Sequence, residues 1–316
     1  MREVSLITTF RWLKVTAPSG VYQIMPTVNV VVGRELIDEY LNSGFRKYAG
    51  EIEYQHFKNA NNIVVSNPGD VGYWDQFSNG EEILHCWMVW VDWVLQDSWL
   101  VKDNCFISEV AYCRSNLNGV LGWCSNSLYA QASISDGDRQ CSIEFSEGDM
   151  REWGERLNTL RMHLDEKGYS VFTPIVSNKA TRVDRFLNFI QIARRSSVPA
   201  MKISQMCSAL ESLFSTSTTE LTHRLSERVA FFIGESSEDK ELIYQFMKKV
   251  YAVRSQVTHG SHINNAVAES TPELSLKMLE LLRRIVFKIL EDDSSSDVVY
   301  GDNEFIESHF RRCLFF

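Results

Sequence analysis

The stretch SSEDKELIYQFMKKVYAVRSQVTHG, residues 236–260, reads as one complete helix. Ser236 or Ser237 supplies the N-cap, acids fill the first turn, and Gly260 stands where a helix would stop. Acids at the start and a basic side chain at the end both suit the helix dipole. That helical reading extends to the flanking segments. Apolar residues recur at Phe186, Phe189, Ile190 and Ala193, predicting a helix near 181–195. A second begins at Pro199, suited to an opening turn, and carries Ile203, Met206, Cys207, Leu210, Leu213 and Phe214. The third, ELTHRLSERVAFFIG, is capped by Thr218 or Thr219, turns Leu221, Leu225, Val229 and Phe232 inward, and ends at Gly234. A fifth is expected to begin at Pro272 and run through PELSLKMLELLRRIVFKILEDD.

Upstream the character changes. The runs TFRWLKV, VYQIMPTVNVVV, NNIVVS, CFISEVAYC and CSIEFS are short, rich in β-formers and punctuated by Asn, Gly and Pro, as strands and turns are. GRELIDEYLN and the 82–100 segment interrupt them as helices, and the helix-like EGDMREWGERLNTLRMHLDEKG precedes a linker-like YSVFTPIVSNKA. The chain therefore reads as α+β: a mixed α/β domain over 1–150, a helix and linker over 151–179, an all-α bundle over 180–295, and a C-terminal tail over 296–316 left unassigned after the acidic, serine-rich EDDSSSD.

Composition narrows the classes. With 316 residues, 44% hydrophobic and 23% charged, the chain can bury full-sized cores and matches two globular domains. The N-terminus MREVSLITTFRWLKV has charges where a secretory signal needs an unbroken apolar run, so a cytoplasmic protein is expected. The longest apolar run, ILHCWMVWVDWVLQDSWLV, contains Asp92, Gln96 and Asp97, which disfavours a membrane span and predicts a buried helix. Its tryptophans Trp87, Trp90, Trp93 and Trp99 suit a core better than a base-stacking surface. The seven cysteines include no C-x-x-C pair and read as reduced thiols. Cys105, Cys113 and Cys124 with His85 match no zinc spacing, so no metal is assigned. A net charge of −9 argues against coating nucleic acid. Residues 180–260, with eleven Lys or Arg against eight Asp or Glu, are the exception at +3.

Within that basic segment lies the one Arg-x4-His spacing of the chain, Arg254 and His259. At 100° per residue the two stand about 140° apart on a regular helix, so they meet on one ligand only through an unwound helix end or a second subunit. The negative end of the helix favours a protonated imidazole at 259 and brings its titration toward working pH. Arg254 offers a permanently charged fork suited to a phosphate or phosphorane. Together they supply what RNA cleavage by its own 2′-hydroxyl requires: proton transfer at oxygen and charge stabilisation at phosphorus without metal. A plain polar C-cap is the competing reading for His259. His262 reads as a loop residue and His223 as solvated; Arg224 and Arg228, one turn apart, either line an RNA channel or pair with Glu220 or Glu227.

Three runs, QMCSALESLF, TELTHRLSERVAFFIG and VYAVRSQVTHG, followed by a long final helix, resemble the Apea-like branch of the HEPN superfamily over about residues 180–292. SWLVKDN at 98–104 also resembles part of the N-terminal region found with such domains. The resemblance implies an up-and-down helical bundle, a homodimer, and a metal-independent endoribonuclease of phage defence or toxin systems, with no cofactor. Arg254 and His259 match the family's Arg, four to six residues, His motif, two copies of which share a cleft across the dimer. The position after the Arg is often Asn, Asp or His and here is Ser255. Glu211 matches an acidic position near the catalytic pair, which implies a supporting role in orienting Arg254; a buried structural partner is the alternative. The N-terminal domain would sense a protein or phage-derived trigger. A non-catalytic bundle that dimerises or docks a partner such as a nucleotidyltransferase is the alternative function, and a nucleotide-binding regulator a third.

Overall fold

A computed structural model describes residues 3–66, 72–117, 119–128, 131–170, 173–217, 221–259 and 265–315. The chain is mixed α+β and forms two compact units, Met1–Ala132 with Gln140–Thr159, and Ser133–Arg139 with Leu160–Phe316. In the first unit ten strands are described: β1 (Glu3–Thr8), β2 (Phe10–Arg11), β3 (Leu13–Val15), β4 (Gly20–Met25), β5 (Val28–Val32), β6 (Asn62–Val65), β7 (Ile107–Ser108), β8 (Ala111–Leu117), β9 (Val120–Asn126) and β10 (Ile143–Phe145). Four helices join them: α1 (Arg34–Tyr40), α2 (Ser43–Ala49), α3 (Glu51–Asn59) and α4 (Gly80–Asp97). A fifth, α5 (Glu147–Glu166), contains the division between the units.

Six strands form one antiparallel sheet in the order β4-β5-β6-β1-β8-β9. Its sequence shows why it is covered on both faces. Side chains alternate along a strand. Val28, Val30 and Val32 of β5 join Val4, Leu6 and the α4 side chains Leu84, Trp87 and Val91 in one core. Val31, Ile7, Ile63 and Val65 enter a second core with Ile37, Phe45 and Phe57 from α1, α2 and α3. The segment read as one strand, TFRWLKV, is two, because Trp12 sits at φ 70 and turns the chain from β2, which pairs with β7, into β3, which pairs in parallel with β10. Asn62, only 2% exposed, braces this turn: its Oδ1 accepts from Phe10 N at 3.3 Å and its Nδ2 donates to Phe10 O at 3.3 Å and Leu13 O at 3.0 Å.

In the second unit α6 (Arg182–Arg195), α7 (Pro199–Phe214), α8 (Leu221–Ile233), α9 (Ser237–His259), α10 (Asn265–Glu291), α11 (Asp293–Tyr300) and α12 (Asn303–Phe315) follow in order. Helix α7 is packed against α6, α8, α9 and α10. Its buried residues, among them Ile203, Met206, Cys207, Ala209, Leu210 and Leu213, form one wide face covering about half of the helix circumference. The expected caps are present where they are described: Ser236 Oγ accepts from Asp239 N at 3.1 Å, and Pro199 stands in the first turn of α7. Thr218, Thr219 and Gly260, expected to cap or stop helices, lie outside the described residues. The loop Ser133–Arg139 belongs to this unit; Ser133 N donates to Arg194 O at 2.9 Å, and a Cβ on Gly137, at φ 98, would stand 2.3 Å from Ser197 O.

Two expectations change. The fifth helix begins at Asn265, so Pro272 lies inside α10 rather than opening it. Proline removes the bond to the carbonyl four residues back, that of Ala268; the Thr271 hydroxyl occupies that carbonyl at 2.8 Å, so the helix continues. The tail is α11 and α12, with Val298, Val299, Ile306 and Phe310 buried. In EDDSSSD, Asp292 is a cap, accepting from Ser294 N at 3.1 Å and Ser295 Oγ at 2.6 Å.

Between β4 and β5, Pro26 is followed by Thr27 at φ 67, the pattern of a type II turn that favours glycine at its third position. The Thr27 side chain is buried and its hydroxyl has no partner among the described residues. The left-handed conformation costs about 1–3 kcal/mol and the unsatisfied hydroxyl a similar amount, against about 0.5–1 kcal/mol for the added freedom of glycine and about 0.8 for the lost methyl. Thr27→Gly is therefore expected to raise stability by about 1 kcal/mol in urea denaturation; a loss of stability would show the turn to be unstrained.

Candidate functional site

Helix α9 points one apolar stripe, Met247, Val250, Tyr251 and Val253, into the core, and Arg254 continues the same face. Its guanidinium meets Glu211 of α7: Nη2 lies 3.1 Å from Oε1 and 3.3 Å from Oε2, with side-chain exposures of 24% and 20%. The Arg254 Nε is buried without a hydrogen bond among the described residues. Tyr251, one turn before Arg254, and Cys207, one turn before Glu211, complete a buried cluster. Burial raises the Glu211 pKa above the ordinary carboxylate value, and the Arg254 charge and Tyr251 hydroxyl offset it only in part. Burial also pushes the Tyr251 phenol and the Cys207 thiol well above their usual ranges, so both stay protonated near neutrality.

The backbone of α9 is helical through His259, and Thr258 Oγ1 donates to Arg254 O at 2.8 Å across the turn between them. The backbone positions of Arg254 and His259 therefore keep their separation of about 140° around the axis. The imidazole of His259 and all of His262 lie outside the described residues. Ser255 is exposed, and its side chain makes no hydrogen bond among the described residues. The structure thus joins Arg254 to Glu211 and leaves Ser255 apart.

Arg224 and Arg228 make different contacts from those expected. Both turn to Glu307 of α12: Arg224 Nη2 lies 2.7 Å and 2.8 Å from its two oxygens, and Arg228 Nη2 2.6 Å from Oε1. Arg228 is buried and also donates to Thr216 Oγ1 at 2.9 Å. His223, Arg224, Arg228, Glu307 and Phe310 line a cleft of about 440 Å³. The pairing depends on α12, about 80 residues further along the chain, where neither spacing nor period links the partners. Tyr251 was also missed, because three residues before Arg254 it reads as one more member of an apolar stripe. Trp87 and Trp99 are core residues, and Trp90 packs on Trp74 with ring centroids 5.2 Å apart.

No helix is long and apolar enough to cross a membrane among the described residues. Compared with family models, curated proteins and solved structures, the chain matches none.

Because folding raises the Glu211 pKa, the folded chain keeps that proton to higher pH than the unfolded chain. Stability then falls as pH rises from the ordinary value of 4.5 through the raised one. Urea denaturation across this range is expected to show wild type losing stability relative to Glu211→Gln; parallel profiles would mean that Glu211 titrates normally.

Proposed function

We propose that the chain is a metal-independent endoribonuclease of HEPN type that acts as a homodimer in defence against phage or in a toxin-like system. The observation that carries this reading is the Arg254 guanidinium, held by Glu211 on the central helix of an all-helical bundle, five residues before a histidine at the end of the same regular helix. A charged side chain fixed in this way keeps its remaining donors oriented for an anion. The divergence of Arg254 and His259 around α9 supports a cleft built from two copies, with Arg254 of one protomer opposite His259 of the other.

In that cleft the chemistry balances without an added group. An imidazole takes the proton of the 2′-hydroxyl as its oxygen attacks phosphorus, and Arg254 stabilises the charge that gathers on the phosphoryl oxygens. The bond from phosphorus to the 5′-oxygen breaks, and a protonated imidazole returns a proton to the leaving oxygen. The products are a 2′,3′-cyclic phosphate and a 5′-hydroxyl. Glu211 touches no reacting atom; it positions Arg254. The first unit, with its own sheet and cores, is the proposed sensor for a trigger.

Purified protein incubated with a mixed RNA pool in chelator is expected to yield fragments ending in cyclic phosphate. Arg254→Ala or His259→Ala should slow cleavage by about 10²–10³-fold, the usual worth of one such group. Equal cleavage by either variant would refute the assignment. RNA left intact by wild type would return the bundle to dimerisation or partner docking, for which Ser255 in place of the family's usual Asn, Asp or His is the supporting departure.

A further inference from the structure

The first unit holds a second built site, independent of the proposed ribonuclease centre. A cleft of about 340 Å³ opens where β2 turns into β3, lined by Arg11, Trp12, Lys14, His56, Asn61 and Glu109. Glu109 is its hub. One oxygen lies 2.6 Å from Arg11 Nη2; the other lies 2.7 Å from His56 Nε2 and accepts from the Thr9 hydroxyl at 3.3 Å. Thr9 is 3% exposed, so this end of the cleft is a buried polar base, whereas Arg11 is 45% exposed and reaches the mouth. Phe10 and Leu13 form an apolar floor.

Two features mark the cleft as more than a gap between strands. Trp12 stands at φ 70, a conformation that a bulky side chain rarely adopts. Buried Asn62, bonded to the backbone on both sides of it, holds it there. The result places an indole on the cleft wall, with the Arg11 guanidinium carbon 5.8 Å from its ring centroid. Secondly, donors outnumber acceptors at the mouth. Arg11 uses one amino group on Glu109, and Lys14 shares one contact with Glu144 at 2.6 Å. The Asn61 Oδ1 accepts from Val15 N at 2.8 Å, and its amide nitrogen has no partner among the described residues. Each cation is paired with one carboxylate, Arg11 with Glu109 and Lys14 with Glu144, but their remaining N–H groups and the free amide are spare donors, which suit an anionic ligand.

We infer that this cleft binds a nucleoside monophosphate. The phosphate meets Arg11, Lys14 and the Asn61 amide; the base lies against Trp12, since stacking on an aromatic ring tolerates any base; and the ribose hydroxyls donate to the lone pairs left on Glu109. A simple aromatic carboxylate would satisfy the donors and the indole but would leave the Glu109 acceptors unused. The volume suits one nucleotide, so the ligand is a mononucleotide.

Isothermal titration calorimetry of the full chain with AMP, UMP, adenosine and inorganic phosphate tests this. Both monophosphates are expected to bind, and adenosine and phosphate each to bind at least about tenfold more weakly. Arg11→Gln and Lys14→Gln should each weaken AMP by about three- to tenfold, a typical loss for a charge-assisted contact. Lys14 is 54% exposed, which keeps that variant folded even if Arg11→Gln is not. Arg254→Ala should bind AMP as wild type does, which separates this site from the bundle whether or not RNA is cleaved. Absence of binding by either monophosphate, unchanged affinity in Lys14→Gln and a folded Arg11→Gln, or loss of binding in an Arg254→Ala protein shown to be folded would each overturn the proposal.

Discussion

A helix packed against four others has little room for charge, yet α7 carries two charged side chains in or beside its buried face. Lys202 is 3% exposed and donates to Ser133 O at 2.7 Å; Glu211 is paired with Arg254. Removing either partner of such a pair leaves an uncompensated charge in a low-dielectric interior, commonly a loss of about 3–5 kcal/mol. The register of α7 against α9 is therefore tied to one ion pair. Sliding the helices by a turn would strand both groups. The same constraint fixes the orientation of the only arginine in α9, so the packing of the second unit and the placement of the proposed phosphate-binding group have a single cause.

In the first unit the corresponding constraint is an antiparallel sheet with two covered faces. Buried polar groups there must be satisfied internally, and Asn62 does this while bracing a left-handed tryptophan. Irregular backbone held so firmly at the edge of a cleft is where binding residues are commonly found on a rigid scaffold.

The helices α6 to α10 were legible because apolar residues recur with a 3.6-residue period along each of them. Their ends were less so: Pro272 reads as a start signal, and only the Thr271 hydroxyl on the freed carbonyl explains a helix running through it. EDDSSSD has the composition of a linker, yet Asp292 uses its serines as capping partners. The β8 to β9 hairpin was missed because RSNLNGVLGWCSN lacks clean alternation, although the Asn118-Gly119 dipeptide is a hairpin signal and Gly119 has φ 84. At the site, Arg254 and Glu211 were legible as a pair through family resemblance, and their contact follows from the packing of α7 on α9. The Arg224 and Arg228 partner lies about 80 residues away on α12, a distance at which neither spacing nor period carries information.

The central claim of the proposed account is that the arginine and the histidine serving one phosphodiester come from different copies of α9. Subunit mixing tests it most directly. Arg254→Ala and His259→Ala proteins, each inactive alone, would be unfolded, mixed in equal amounts and refolded together, and RNA cleavage measured. Heterodimers then contain one cleft half with both groups intact, and activity should return to roughly a quarter of wild type. A mixture as inactive as its components, with heterodimers shown to have formed, would contradict the account.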